Sequence, residues 1–267
     1  MARTLNVTAQ NAGGWSWART LRIVAFYVIL LLIWEGLARS GIWPSYLLPG
    51  PTTVGSTLAS GFASGSFIIA ILVSLRRLVS GYGISLIAGV TLGLVIGRNR
   101  IIDETLGSLI LGLQALPSVC WIPLALLWLG LTEQAMIFVV VMGALFSITL
   151  GVDAGVKNTP PLYLKAARNM GARGIALSTQ VILPAALPSI LTGLKQGWSF
   201  AWRSLMAAEL LYQTLSLGTL LENGRDLNDT AQVFAVMLII IVIGISIDGL
   251  IFSPLERRVR ERWGLSR

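Results

Sequence analysis

Apolar residues along the chain fall into six long blocks separated by polar breaks. A helix needs about 20 mostly apolar residues to cross the hydrocarbon core of a bilayer. Six segments qualify: 21–38, with Glu35 near its far end; 78–97, rich in Gly, Leu, Ile and Val; and 106–130, interrupted by Pro117 and Pro123. The others are 134–156, with Asp153 near one end; 185–211, which carries Lys195, Arg203 and Glu209; and 232–252, with Asp248 near its end. Two stretches are neither span nor simple loop. Residues 41–67 are rich in Gly, Ser, Thr and Pro, and Leu48-Pro49-Gly50-Pro51 is a turn signal. A short helix is expected over 52–58. Residues 157–184 form the longest polar interruption. The pattern predicts an all-α, polytopic membrane protein. Its expected parts are an N-terminal tail over 1–20, a transmembrane domain over 21–253 that includes the loop 157–184, and a basic C-terminal tail over 254–267.

Composition agrees. Of the 267 residues 55% are hydrophobic and only 12% are charged, against about 25% charged in an ordinary soluble domain. So few charges cannot cover a water-soluble globule of this size, and disorder needs the opposite balance.

The charges then orient the spans, because Lys and Arg concentrate in cytoplasmic loops. With the N-terminus inside, the inner segments hold fourteen: Arg3, Arg19, Arg22, Arg98, Arg100, Lys157, Lys165, Arg168, Arg173, Arg257, Arg258, Arg260, Arg262 and Arg267. The outer side holds Arg39, Arg225, Arg76 and Arg77. Both termini of this multi-pass chain are therefore expected in the cytoplasm. The net charge of +8 reads as an orientation signal, so no nucleic-acid partner is expected. Leu37-Ala38-Arg39-Ser40 lacks a small-x-small cleavage pattern, so the first span is expected to be retained. Trp15, Trp17, Trp34, Trp43, Trp121, Trp128 and Trp263 fall near span ends and read as an interfacial belt.

Catalytic chemistry has little to work with. Histidine is absent and Cys120 is the single cysteine, so no intramolecular disulfide and no Cys-based zinc site can form. There is no P-loop, no HExxH and no GxSxG. The chain reads as a non-enzyme that binds no metal or cofactor, and any ATP it depends on belongs to a separate subunit.

The polar loop is the informative segment. It runs Pro161-Leu162-Tyr163-Leu164-Lys165-Ala166-Ala167-Arg168-Asn169-Met170-Gly171-Ala172-Arg173-Gly174-Ile175. Proline favours a helix start after Asn158-Thr159-Pro160, and Gly171 ends or bends the helix. Two readings stand on these residues alone. One is a stiff docking helix whose small residues admit a partner; the other is an interfacial helix that only links two spans.

The loop also resembles a known family. Inner-membrane permease subunits of binding-protein-dependent ABC importers carry Glu-Ala-Ala, three residues, Gly, nine residues, Ile-x-Leu-Pro in this loop. Here Lys165-Ala166-Ala167 precede Gly171, and Val181-Ile182-Leu183-Pro184 follow at the same spacing. Lys165 replaces the Glu and Val181 the Ile. Leu48-Pro49-Gly50-Pro51, Ser74-Leu75-Arg76-Arg77, Leu116-Pro117-Ser118, Ile122-Pro123-Leu124, Leu127-Trp128-Leu129-Gly130 and Leu255-Glu256-Arg257-Arg258 are similar to the branch that imports nitrate, sulfonates, taurine or bicarbonate. The resemblance implies a six-helix core of the type I importer kind, working as a homodimer. It implies two ABC ATPase subunits that use ATP and Mg, and a soluble extracytoplasmic binding protein. It makes Leu164, Lys165, Ala166, Ala167, Arg168, Gly171 and Ala172 the ATPase-coupling residues, and Thr214 to Thr230 either a binding-protein docking face or an ordinary solvated loop. The implied function is ATP-driven, alternating-access import of a small anion. A self-contained channel or secondary transporter is the alternative, and a scaffold without transport a further one.

Ionisable groups at membrane depth usually face a bundle interior or a wet cavity. Arg203, Trp202, Gln114, Ser118 and Arg77 are the candidate path residues. For Arg203 a structural role is the other reading, as a partner of Glu209 or another acid. Lys195 is expected to snorkel, Arg76 and Arg77 to anchor at the interface, and Gly81, Gly83, Gly89, Gly93 and Gly97 to let helices pack closely.

Overall fold

The computed structural model describes residues 17–263, and all their regular structure is helical. The expected tail 1–16, with Arg3 and Trp15, and residues 264–267, with Arg267, lie outside the described residues. The helices are α1 (Trp17–Arg39), α2 (Pro51–Ala63), α3 (Ser66–Arg98), α4 (Arg100–Gln114), α5 (Ser118–Leu129), α6 (Glu133–Lys157), α7 (Pro161–Asn169), α8 (Gly174–Glu209), α9 (Leu217–Asp226) and α10 (Thr230–Arg262). Three of them contain a wide, π-type turn. The wide turns fall at Asp103–Gly107 in α4, Ser178–Ile182 in α8 and Asp248–Phe252 in α10; α5 carries Pro123.

Five helices are long and apolar enough to span, and α4 with α5 makes a sixth, broken by a 97° bend. A contact at its start and the short link at its end show that this pair crosses. Lys157, at the end of α6, bonds Asp103 of α4 at 2.6 Å. Leu129, the last residue of α5, stands four positions before Glu133, where α6 starts at its other end. The pair thus begins at the α7 end of the bundle and finishes at the opposite end. The bend follows from the sequence: Pro117 lacks an N–H and disfavours helical backbone in the residue before it.

At the core, α6 is threaded between α3 and α8. Val139, Val140, Ala144, Ile148 and Val152 of α6 are at most 1% exposed. The approach is close because both neighbours present small residues. On α3, Gly81, Ser85, Gly89, Gly93 and Gly97 recur every four residues and so form one stripe. A Cβ at Gly81, Gly89, Gly93 or Gly97 would collide with Val140, Ile148, Thr149 or Val156. Gly83 is off that stripe and has open space around it. Across the other interface Gly151 meets Gly193 backbone to backbone, and Gly155 meets Ala186. Lipid tails are as apolar as the helices, so close van der Waals fit has to do the work that the hydrophobic effect does in water.

The remaining helices are peripheral. α1 is apolar all round and none of its described residues is buried, the mark of a helix solvated by lipid. Its Trp34 donates to the Pro49 carbonyl at 3.0 Å and stacks on Phe234 of α10. α2 is longer than the helix expected over 52–58. α3 starts before residue 78 and carries Arg76 and Arg77 within it. α10 continues through the expected 253/254 boundary to Arg262.

If backbone proximity sets the α6–α8 seam, Gly151→Leu should destabilise the protein by about 1–3 kcal/mol, the usual cost of overpacking. Gly83→Ala should be neutral or slightly stabilising, because Ala is the better helix former. Thermal unfolding in detergent checks both; equal midpoints for Gly151→Leu and the wild type would contradict the packing.

Candidate functional site

Two places in this frame concentrate chemistry: the break between α4 and α5, and the α7 end of the bundle.

At the break, helix geometry fails between Gln114 and Ser118, and a cavity of about 340 Å³ opens against α6 and α8. Gln114, Pro117 and Ser118 line it from the break, Gly143 and Ser147 from α6, and Phe200 and Arg203 from α8. Three of the five candidate path residues, Arg203, Gln114 and Ser118, therefore share one cavity. Arg203 is exposed there, donates from Nε to the Ser199 carbonyl at 3.1 Å, and lies over the Phe200 ring. Among the described residues no carboxylate pairs with it. Gln114 Oε1 is enclosed and has no hydrogen-bond partner; turning the amide over would offer two N–H donors instead. The cavity thus combines an uncompensated cation with convertible polar groups, which is an environment for an anion.

Trp202 and Arg77 lie elsewhere. Trp202 is buried in the main apolar cluster. Arg77 is 2% exposed and bonds Glu209 at 3.0 Å and Thr214 at 2.7 Å, with its guanidinium over the Tyr212 ring. Glu209 is fully buried and also accepts from Ser74 at 2.7 Å and from the Gly218 amide at 3.2 Å. Ser74 in turn accepts from the Leu217 amide at 3.1 Å. This network ties α3, α8 and the start of α9 together at the end opposite α7.

Several expectations change accordingly. Glu209 pairs with Arg77 rather than Arg203: six residues apart on one helix, Arg203 and Glu209 point about 120° away from each other. Arg77 is a buried structural ion, not an interfacial anchor, while Arg76 stays exposed and pairs with Glu133. Lys195 does not simply reach outward; it bonds Asp248 at 2.9 Å, with Glu256 at 3.8 Å. Trp121 packs against Phe138 and Phe146 rather than standing alone in a belt.

At the other end, Pro161 opens α7 and Gly171 closes it. The Ala172 amide donates to the Ala167 carbonyl at 2.9 Å and the Gly171 amide to the Arg168 carbonyl at 3.0 Å, the bond pair of a Schellman stop. Gly171 has φ +88° and Gly174 φ +56°, conformations that a Cβ disfavours. Ala167 is buried, and Leu164 and Ala172 pack beside it against the main cluster. Lys165, Ala166, Arg168 and Gly171 remain exposed. Arg98 holds the following turn by donating to Ser178.

These features define a multi-pass helical membrane protein with a cavity at a broken helix and a rigid loop helix at one end. Residues 87–261 match the family described as "Binding-protein-dependent transport system inner membrane component", and the chain belongs to that family. It is 34% identical over 230 residues to an ABC transporter permease protein of Methanocaldococcus jannaschii, covering 84% of this chain and 86% of that one. It is 26% identical over 245 residues to the aliphatic sulfonates transport permease protein SsuC of Bacillus subtilis, covering 92% and 87%. A chain from the crystal structure of an amino acid ABC transporter with histidines superposes with a TM-score of 0.61 at 18% identity, covering 75% of this chain and 97% of that one. The protein is accordingly an inner-membrane ABC importer permease subunit, a class that works with ATPase subunits and a substrate-binding protein.

Removing one partner of a buried ion pair leaves an uncompensated charge, at about 3–5 kcal/mol. Arg77→Met alone should therefore lower the thermal midpoint sharply, and Arg77→Met with Glu209→Leu should recover much of the loss. Equal damage in both variants would remove the pair as the tie between α3 and α8. For the Schellman stop, Gly171→Val should cost roughly 1–2 kcal/mol locally, read as faster amide hydrogen exchange over 161–176 with unchanged exchange in α6.

Proposed function

We propose that this permease moves a small oxyanion, of the sulfonate, taurine, nitrate or bicarbonate class, into the cytoplasm by alternating access. The observation that carries the reading is Arg203: a cation without a carboxylate, inside a cavity that interrupts a spanning helix. Broken helices at membrane depth commonly build transport sites, because freed backbone groups and polar side chains can replace water around the solute. The cavity is only partly enclosed, which suits a homodimer in which a second copy completes the path.

In this mechanism the energy comes from two ATPase partners, which bind the ATP and Mg; this chain holds neither. Their closure pushes on α7. The push reaches α8 through the short Gly171–Gly174 link and the wide turn that follows. The inner halves of α6 and α8, moving together, then open or close a central path between the two copies, while Arg77 and Glu209 hold α8 to α3 at the far end. Access to Arg203 switches from one side to the other. The lysine and arginine distribution supports placing α7 and both termini in the cytoplasm.

The test is uptake of a labelled alkanesulfonate by vesicles containing the permease, its ATPase and its binding protein. Charge-assisted hydrogen bonds contribute about 1.5–3 kcal/mol, so Arg203→Ala should raise the half-saturating concentration of the binding-protein–solute complex or cut the rate roughly ten- to hundredfold. Arg203→Lys should retain part of the activity. Wild-type rates in both variants would remove Arg203 from the path, and uptake by the permease without its ATPase would favour a self-contained carrier.

A further inference from the structure

We propose that Gln196 is a second solute contact on α8, a neutral amide that takes the oxyanion from Arg203 and releases it toward the α7 end. The proposal rests on the reading of Arg203 as the anion's site and adds where the anion goes next.

The first observation is an exposed amide at membrane depth. Gln196 stands about 20 Å along the α8 axis from Glu209. It is exposed, and among the described residues its side chain makes no hydrogen bond. An unbonded amide set against lipid tails gives up its hydration for nothing in exchange. The large side chains that α3 and α10 turn outward are apolar: Leu72, Val79 and Ile87, and Ile241, Val242 and Ile245. Thr91 of α3 also points outward but returns its hydroxyl to the Ile87 carbonyl. Ser199 and Thr192 of α8 do the same to Lys195 and Pro188. Hydroxyls satisfied in this way are compatible with lipid. An amide without a bond and a guanidinium without a carboxylate are not. The face of α8 that carries Gln196 and Arg203 therefore borders water, which in the proposed homodimer is the path between the two copies.

The second observation is alignment. At 100° and 1.5 Å per residue, Gln196 lies about 20° around the helix from Arg203 and about 10 Å nearer the α7 end. Thr192 lies about 20° the other way and about 16 Å nearer that end. Arg203 lines the cavity at the break. Thr192 lines two further cavities between α8 and α10, of about 330 and 130 Å³, with Glu256 on both and Arg260 on the larger. Gln196 is thus the polar group between the cavity of Arg203 and those at the inner end. Its neighbour Lys195 is held by Asp248, so the next donor after Arg203 on this strip carries no charge. Moving an ion requires a site that binds and a following one that lets go. Amide N–H groups can donate to an oxyanion without a net charge to trap it.

The experiment measures uptake of a labelled alkanesulfonate by vesicles holding the complete importer, with the dimer content of each permease variant measured beside it. Gln196→Leu should slow uptake roughly tenfold, the loss expected for one hydrogen bond to a charged group, with the dimer intact. Gln196→Asn should keep part of the rate. Gln196→Glu has the shape of the native side chain and the charge of the solute, so it should be slower than Gln196→Leu. In a Cys120→Ser background, a membrane-impermeant maleimide offered on both sides should label Gln196→Cys. Wild-type uptake in the Leu and Glu variants, with Arg203→Ala impaired, would overturn this proposal alone; wild-type uptake in all three would overturn the reading of Arg203 as well. Faster uptake with Glu than with Leu would make Gln196 a space-filling residue. Loss of the dimer in Gln196→Leu would make the amide a tie between the copies, and labelling only by a lipid-soluble maleimide would place it in lipid. Each of these three results overturns the proposal.

Discussion

The fold depends on how closely α6 can lie between α3 and α8. Inside a bilayer there is no water to expel from between apolar helices, so attraction comes from dispersion over surfaces that fit. Four glycines and Ser85, at every fourth position of α3, make a groove for Val140, Ile148, Val152 and Val156. On the other side Gly151 and Gly193 bring two backbones into contact. A three-helix slab built in this way is stiff along the α6 axis. In the proposed mechanism that stiffness lets a displacement at the α7 end reach the far part of α8, where Arg203 sits six residues before Glu209, rather than being absorbed by side-chain rearrangement.

The slab is fastened differently at its two ends. Far from α7, Arg77, Glu209, Ser74 and the amides of Leu217 and Gly218 form a nearly dry network with both ions buried. Opening it would strand a charge. Near α7, Lys157 bridges Asp103 and Asp153, and Lys195 reaches Asp248, through side chains that are partly exposed. Partly hydrated pairs like these contribute little and exchange with water at small cost. A bundle with one tight end and one loose end has a natural pivot, and the cavity at the break of α4 and α5 lies between the two.

Hydropathy alone revealed the span count, because six apolar blocks are a local signal. Pro117 marked where the third span breaks, whereas Pro123 sits inside the continuous helix α5 and interrupts nothing; the size of the bend, 97°, was not legible in either proline. The start of α3 was hidden for a physical reason: Arg76 and Arg77 look like the end of a span, and the acid that neutralises Arg77 lies 132 residues further on. The same missing information made Glu209 look like a partner for Arg203. Their spacing of six could have excluded that pairing, since it puts them on different faces of one helix. Gly171 was legible because a Schellman stop is written within a few residues. Lys165, in place of the family's Glu, could be seen as a departure in the sequence; its exposure, without an acid nearby, emerged from the fold.

The central claim is that motion at α7 changes which side of the membrane reaches the cavity. The most direct measurement is thiol labelling at Ser118→Cys in a Cys120→Ser background, using a membrane-impermeant maleimide in the assembled importer. The account predicts that labelling from the cytoplasmic side is fast without nucleotide and slow with the ATPases held closed on ATP, while labelling from the opposite side changes the other way. Labelling rates that ignore the nucleotide state, or that change together on both sides, would contradict it.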